Sequence, residues 1–114
     1  MKSTNNSSNQ KPQALVIGIN KYEYRGLTNL QVPVVNARYM ANRLEKQGKF
    51  DVEIHEEITR KYLKEYIVQL FKPKGNSPKM ALFYFSGYVV VKDEGIKEVF
   101  LTTSDSNPSE DYEL

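Results

Sequence analysis

The chain has 114 residues, enough for one domain with a real core but small for an α/β enzyme. Its net charge is +2 and no cluster of Lys and Arg stands out, so the electrostatic footprint of a nucleic-acid binder is missing. There is no cysteine, which excludes disulfides, thiolate metal ligands and a cysteine nucleophile within these residues.

Residues 1–12 are rich in Ser, Asn and Gln and read as a disordered lead. They lack the apolar stretch of a secretory signal, and no run elsewhere is long enough for a membrane span, so the expected address is the cytoplasm. Gln13 to Asn20, Q-A-L-V-I-G-I-N, is nearly continuous in apolar residues. That pattern predicts a strand buried on both faces of a covered parallel sheet. Lys21 to Leu30 is polar and reads as a loop. From about Val34 to Gln47 the period changes: Ala37, Met40, Ala41 and Leu44 recur at helical spacing, with Pro33 near the start and Gly48 just past the end.

Phe50 to His55 alternates, which places Phe50, Val52 and Ile54 on the inner side of an edge strand. Asp51, Glu53 and His55 then fall on its solvent side. Thr59 is positioned to cap a second helix through Phe71, with Leu63, Tyr66, Ile67 and Leu70 as its apolar stripe and Pro73 with Gly75 as its stop. Met80 to Phe85 predicts a third strand, too apolar for a free edge. After Ser86 and Gly87, Val89 to Val91 and Val99 to Leu101 flank Asp93-Glu94-Gly95 as a hairpin. Residues 109–114 form a polar tail. This order of elements predicts an α/β domain over residues 13–108 with right-handed crossovers.

Few residues in this frame offer chemistry. Gly18 and Gly26 are the glycines near the first strand, and neither belongs to a G-x-G-x-x-G or Walker pattern, so no nucleotide cofactor is expected. The one histidine, His55, beside Glu56 and Glu57, reads as a surface residue and not as a metal ligand. Ser86 lacks the preceding glycine of G-x-S-x-G and is followed by a hairpin instead of a helix, which argues against a serine nucleophile. Asp93, Glu94, Asp105, Glu110, Asp111 and Glu113 lie in turns or the tail and read as solvated loop charge. No cofactor and no metal are expected.

Four segments, in order, resemble the caspase and metacaspase superfamily, the C14-type cysteine peptidases. A-L-V-I-G-I-N-K-Y, Ala14 to Tyr22, is similar to the family's first strand, and Leu30 to Leu44 to its first helix. L-F-Y-F-S-G-Y, Leu82 to Tyr88, resembles the third strand with its Ser-Gly-His-Gly end, and V-F-L-T-T-S-D, Val99 to Asp105, the segment after the hairpin. The resemblance implies the first half of a caspase-like three-layer sandwich, helices on both faces of a mostly parallel sheet in the order 2-1-3.

It also implies that catalysis is lost. The family's catalytic histidine falls on Tyr88 and the glycine after it on Val89, while the Asn-Asp pair of an Asn-Asp-Ala triplet falls on Val35 and Asn36. The nucleophilic cysteine belongs to a fourth strand that is not expected within these residues. A free phenol titrates near pH 10, so only about one in a thousand is ionised at pH 7, a poor general base. Tyr88 therefore reads as a remnant position, with Ser86, Gly87, Asn20, Arg25 and Asn36 around a vestigial pocket at the C-terminal edge of the sheet, where ligands of open α/β sheets gather.

The expected function is a catalytically inactive caspase-like domain that acts on protein partners as an interaction or regulatory module. The alternative is part of a cysteine endopeptidase whose Cys-bearing strand comes from another chain or from a C-terminal portion. Neither nucleic acid nor membrane is an expected partner. The apolar third strand needs a cover: the hairpin folding back, the tail, or a second copy. A two-fold dimer through that edge is the expected solution.

Overall fold

A computed structural model of the chain describes residues 11–71 and 80–107. The elements are β1 (Gln13–Gly18), α1 (Pro33–Lys46), β2 (Asp51–Glu56), α2 (Arg60–Phe71), β3 (Ala81–Ser86), β4 (Val89–Asp93) and β5 (Lys97–Leu101). β1 pairs in parallel with both β2 and β3, giving a three-stranded sheet in the order β2-β1-β3. The α/β class, the strand order and the two helices agree with the sequence expectation.

β1 is central because its side chains are apolar in both directions. Alternation sends Leu15 and Ile17 to one face and Ala14 and Val16 to the other, and all four are buried. On the first face they join Phe83 and Phe85 of β3 and meet Leu63 and Leu70 of α2. Leu63 is fully buried, so its truncation to Ala would cost about 2–5 kcal/mol.

On the opposite face α1 packs at backbone distance. A Cβ on Gly18 would lie 2.8 Å from Ala37 Cβ and 2.9 Å from the Pro33 carbonyl oxygen, so no larger residue fits without moving the helix. The N-terminus of α1 has no side-chain cap of its own. Asn20, at the end of β1, supplies one from outside: its Oδ1 accepts the Val34 N–H at 3.0 Å. Arg38 then clamps α1 to β2 with a forked pair of bonds to Glu56, 2.6 and 2.8 Å long, which hold that carboxyl below the usual range.

β2 is the edge strand the alternation predicts, but its outer face needs a correction. His55 does not project into solvent. It shares a face with Ile17, and α2 reaches over the edge so that Tyr66 stacks on the imidazole, ring centroids 3.8 Å apart and 5° from parallel. Glu53 Oε2 lies 2.6 Å from its Nε2. Ile54, expected inside, is about one-third exposed, because α1 covers β2 only in part.

β4 and β5 form a separate antiparallel ribbon with Lys92 opposite Glu98 and Asp93 opposite Lys97. Gly95 takes a φ of +93° at its tip, the conformation glycine supplies without strain. Neither strand of the ribbon pairs with the three-stranded sheet, and Leu101 at its base packs against the core.

The expected stop of α2 at Pro73 and Gly75 and the tail at 109–114 lie outside the described residues, as do residues 1–10 of the lead. Pro12, at the end of that lead, joins the sheet margin through its carbonyl, which accepts the Asp51 N–H at 2.8 Å.

Candidate functional site

The loops after β1, β2 and β3 and the segment after β5 converge at the C-terminal end of the sheet. β1 delivers the chain to Ile19, whose N–H donates to the Ser86 carbonyl at 3.0 Å. β3 ends there, and the chain turns at Gly87 into Tyr88. A side chain at Gly87 is excluded: its Cβ would lie 2.6 Å from the Tyr22 hydroxyl and 3.0 Å from Phe85 Cζ.

The centre of this rim is Tyr22, 7% exposed. Its oxygen accepts the Tyr88 N–H at 3.0 Å and lies 3.1 Å from Thr102 Oγ1. Thr102 Oγ1 also stands 2.7 Å from the Tyr88 carbonyl. A carbonyl only accepts, so the one Thr102 proton goes there and the Tyr22 hydroxyl donates to Thr102. Every polar atom of the triangle then has a partner, as burial requires. Burial pushes the Tyr22 phenol above its ordinary range; the Tyr88 N–H that its oxygen accepts offsets part of that rise, and the Glu57 charge adds to it.

Tyr88 itself is half-buried and fully engaged. Its ring meets Tyr22 edge-on, centroids 5.0 Å apart and planes 61° apart, and its hydroxyl donates to the Thr28 carbonyl at 2.9 Å. That bond ties the β1–α1 loop down over the turn. Its proton is committed to a backbone acceptor, the Thr28 carbonyl.

Three further ties close the rim. Glu57 sits in the left-handed region at φ +52°, a conformation costing about 1–2 kcal/mol in a residue with a Cβ. Its carboxylate accepts two consecutive backbone N–H groups, from Asn20 at 2.9 Å and Lys21 at 3.0 Å. Ser104 donates from its N–H and its hydroxyl to the Ile58 carbonyl, both at 3.0 Å, and accepts the Glu23 N–H at 2.9 Å. Asp105 accepts the Arg60 N–H at the start of α2 at 2.9 Å and the Thr103 hydroxyl at 2.7 Å. Burial pushes the Asp105 carboxyl up, but those bonds and the Arg60 charge outweigh it and hold the group below its ordinary range.

The six positions named from the sequence are thus distributed unevenly. Ser86, Gly87 and Tyr88 form the turn beside Tyr22, and Asn20 lies across from them as the cap of α1. Arg25 lines a different feature, an open groove of about 410 Å³ shared with Glu23, Tyr24, Asp105, Ser106 and Asn107. Asn36 is exposed in the first turn of α1, the helix that packs on the opposite sheet face from Tyr22. Sequence reasoning missed Tyr22, Thr102 and Glu57. Tyr22 closes the N-K-Y of the first family-like segment and Thr102 lies in T-T-S-D, so their positions were visible although their bond was not.

Among the described residues no group of three or more His, Cys, Asp or Glu side chains stands together to hold a metal ion. No described helix is long and apolar enough to cross a membrane. The family model described as Peptidase C14, caspase domain, matches residues 11–111. No curated protein matches the sequence.

Proposed function

The chain belongs to the caspase domain family, Peptidase C14, and from that premise we propose that it is a catalytically inactive member that binds other proteins as an interaction or regulatory module. The observation that carries this reading is Tyr88. Resemblance to the family puts its catalytic histidine at this position, and here the side chain is a phenol bonded to the Thr28 carbonyl and packed on Tyr22. A histidine base must hold a free ring nitrogen toward the nucleophile. Tyr88 instead spends its hydroxyl proton on the Thr28 carbonyl of the β1–α1 loop, which supports reading it as a structural replacement. The 114 residues also contain no thiol to be activated.

A second reading draws on the outer side of β3, which no described strand pairs. A cysteine-bearing strand from another chain or a further portion of the protein would find a free edge there, but Tyr88 would still stand where the base is required.

The test is amidase activity of the purified protein on Arg-, Lys- and Asp-terminated peptide reporters, with and without calcium. No turnover is expected, and Tyr88→His should not create any. Turnover that disappears in Tyr88→Phe would overturn the proposal.

A further inference from the structure

The two margins of the three-stranded sheet are built differently. β2 carries Asp51, Glu53 and Glu56 along its length, charges of the kind that keep an open edge from pairing with another strand. β3, A-L-F-Y-F-S, has no charge and no proline, and all six residues remain half-exposed. Its backbone pattern is set by β1: the carbonyls of Met80 and Ser86 accept β1 N–H groups. By strand alternation the even-numbered residues address β1, and the N–H and C=O groups of Ala81, Phe83 and Phe85 point outward. No described strand takes them.

Two covers available within the chain lead elsewhere among the described residues. The β4–β5 ribbon pairs with no other described strand. Residues 104 and 105 are tied to Ile58, Arg60 and Glu23, over the start of α2 and the β1 loop. The sequence that follows Asn107, P-S-E-D-Y-E-L, would set Glu110, Asp111 and Glu113 beside an uncharged strand.

We propose that the outer edge of β3 pairs with β3 of a second copy of this chain, antiparallel about a two-fold axis through Phe83. Strand parity and side-chain size together favour this register. A two-fold axis normal to the sheet runs the two strands antiparallel and keeps like faces together, so residues that meet must have numbers of the same parity. Centred on Phe83, the register brings Ala81 opposite Phe85 and Phe83 opposite its own counterpart. Each outward N–H and C=O of these residues then has a partner. On the other face Leu82 meets Tyr84. Small meets large, aromatic meets aromatic, and no like charges meet, the combination that favours cross-strand pairing. The product is one sheet with three strands from each copy and the acidic β2 margins at its two ends. This surface is independent of what Tyr88 does.

Sedimentation velocity on the full chain across a concentration series, with amide hydrogen exchange at each concentration, tests the proposal. The expected result is a monomer–dimer equilibrium in which the Ala81, Phe83 and Phe85 amides gain protection as the dimer forms. Tyr84→Lys should weaken association about tenfold or more, a change read directly from the dissociation constant. The exchange data on the unaltered chain stand even if that variant fails to fold. A monomer at high micromolar concentration overturns the proposal. Free exchange of those amides would then mean a bare edge, and protection would mean that the chain covers itself. A dimer whose β3 amides exchange independently of concentration would place the interface elsewhere and overturn it equally.

Discussion

The turn after β3 and the ribbon that follows it are neighbours in sequence held in opposite ways. At the turn, Tyr22, Tyr88 and Thr102 satisfy one another in a triangle of hydrogen bonds spanning up to 80 residues of sequence. In the ribbon, the ladder between β4 and β5 is local, and Val89, Val91, Ile96 and Val99 are exposed. A two-stranded hairpin that meets the core at its base, through Leu101, and exposes its tip is marginal in water. The turn is therefore expected to open only with the whole domain and the ribbon to open by itself. The rim is tied by side-chain bonds from four separate segments of the chain.

The most damaging way to break that contrast is to remove its centre. Tyr22→Ala deletes a buried ring and strands both the Tyr88 N–H and Thr102, at a cost of about 3–5 kcal/mol, measurable by urea denaturation. The same phenol makes the rim sensitive to alkali. Its folded pKa is raised, so its contribution is complete below the unfolded value near pH 10 and is lost as pH rises through the folded one. Tyr22→Phe should flatten the fall of stability above about pH 10 relative to the unaltered chain.

Thr102→Val keeps the shape and removes the hydroxyl between Tyr22 and the Tyr88 carbonyl. A loss of about 1–3 kcal/mol in thermal or denaturant unfolding is expected, since buried groups lose a partner. Tyr88→Phe releases only the Thr28 carbonyl, which water can reach. It should cost about 1 kcal/mol and speed hydrogen exchange in the 24–30 loop before it changes global stability. At the far end of the scale, Ile96→Ser at the ribbon tip, where the side chain is 77% exposed, should leave global stability unchanged within about 0.5 kcal/mol. A large effect there would show that the ribbon is packed after all.

Much of the fold was legible because its signals are local. The unbroken apolar run of β1, the helical spacing of Ala37, Met40 and Leu44, and Gly95 between two valine-rich segments each pointed to the element observed within a residue or two. The site was legible at the turn, where Ser86, Gly87 and Tyr88 are consecutive. It was not legible across the rim, because nothing near Tyr22 in sequence states that Thr102 will sit beside it. Alternation misread His55 for a related reason: it assigns a face but does not say how far α2 extends over the sheet margin. Asn36 was grouped with Tyr88 by resemblance and Arg25 by its place in the loop at the C-terminal edge of the sheet; Asn36 lies exposed on α1 and Arg25 lines the groove beside Asp105.

The bare ribbon has a practical use. A Cβ built on Gly95 meets no atom within 4 Å, and the side chains of the tip lie in solvent. Inserted sequence at an exposed turn tip is tolerated when no buried backbone is disturbed. An epitope or a short fluorophore-binding peptide placed between Glu94 and Gly95 would be displayed clear of both the rim and the β3 edge. The protein could then be immobilised or tracked through that tip while either surface is assayed for what it binds.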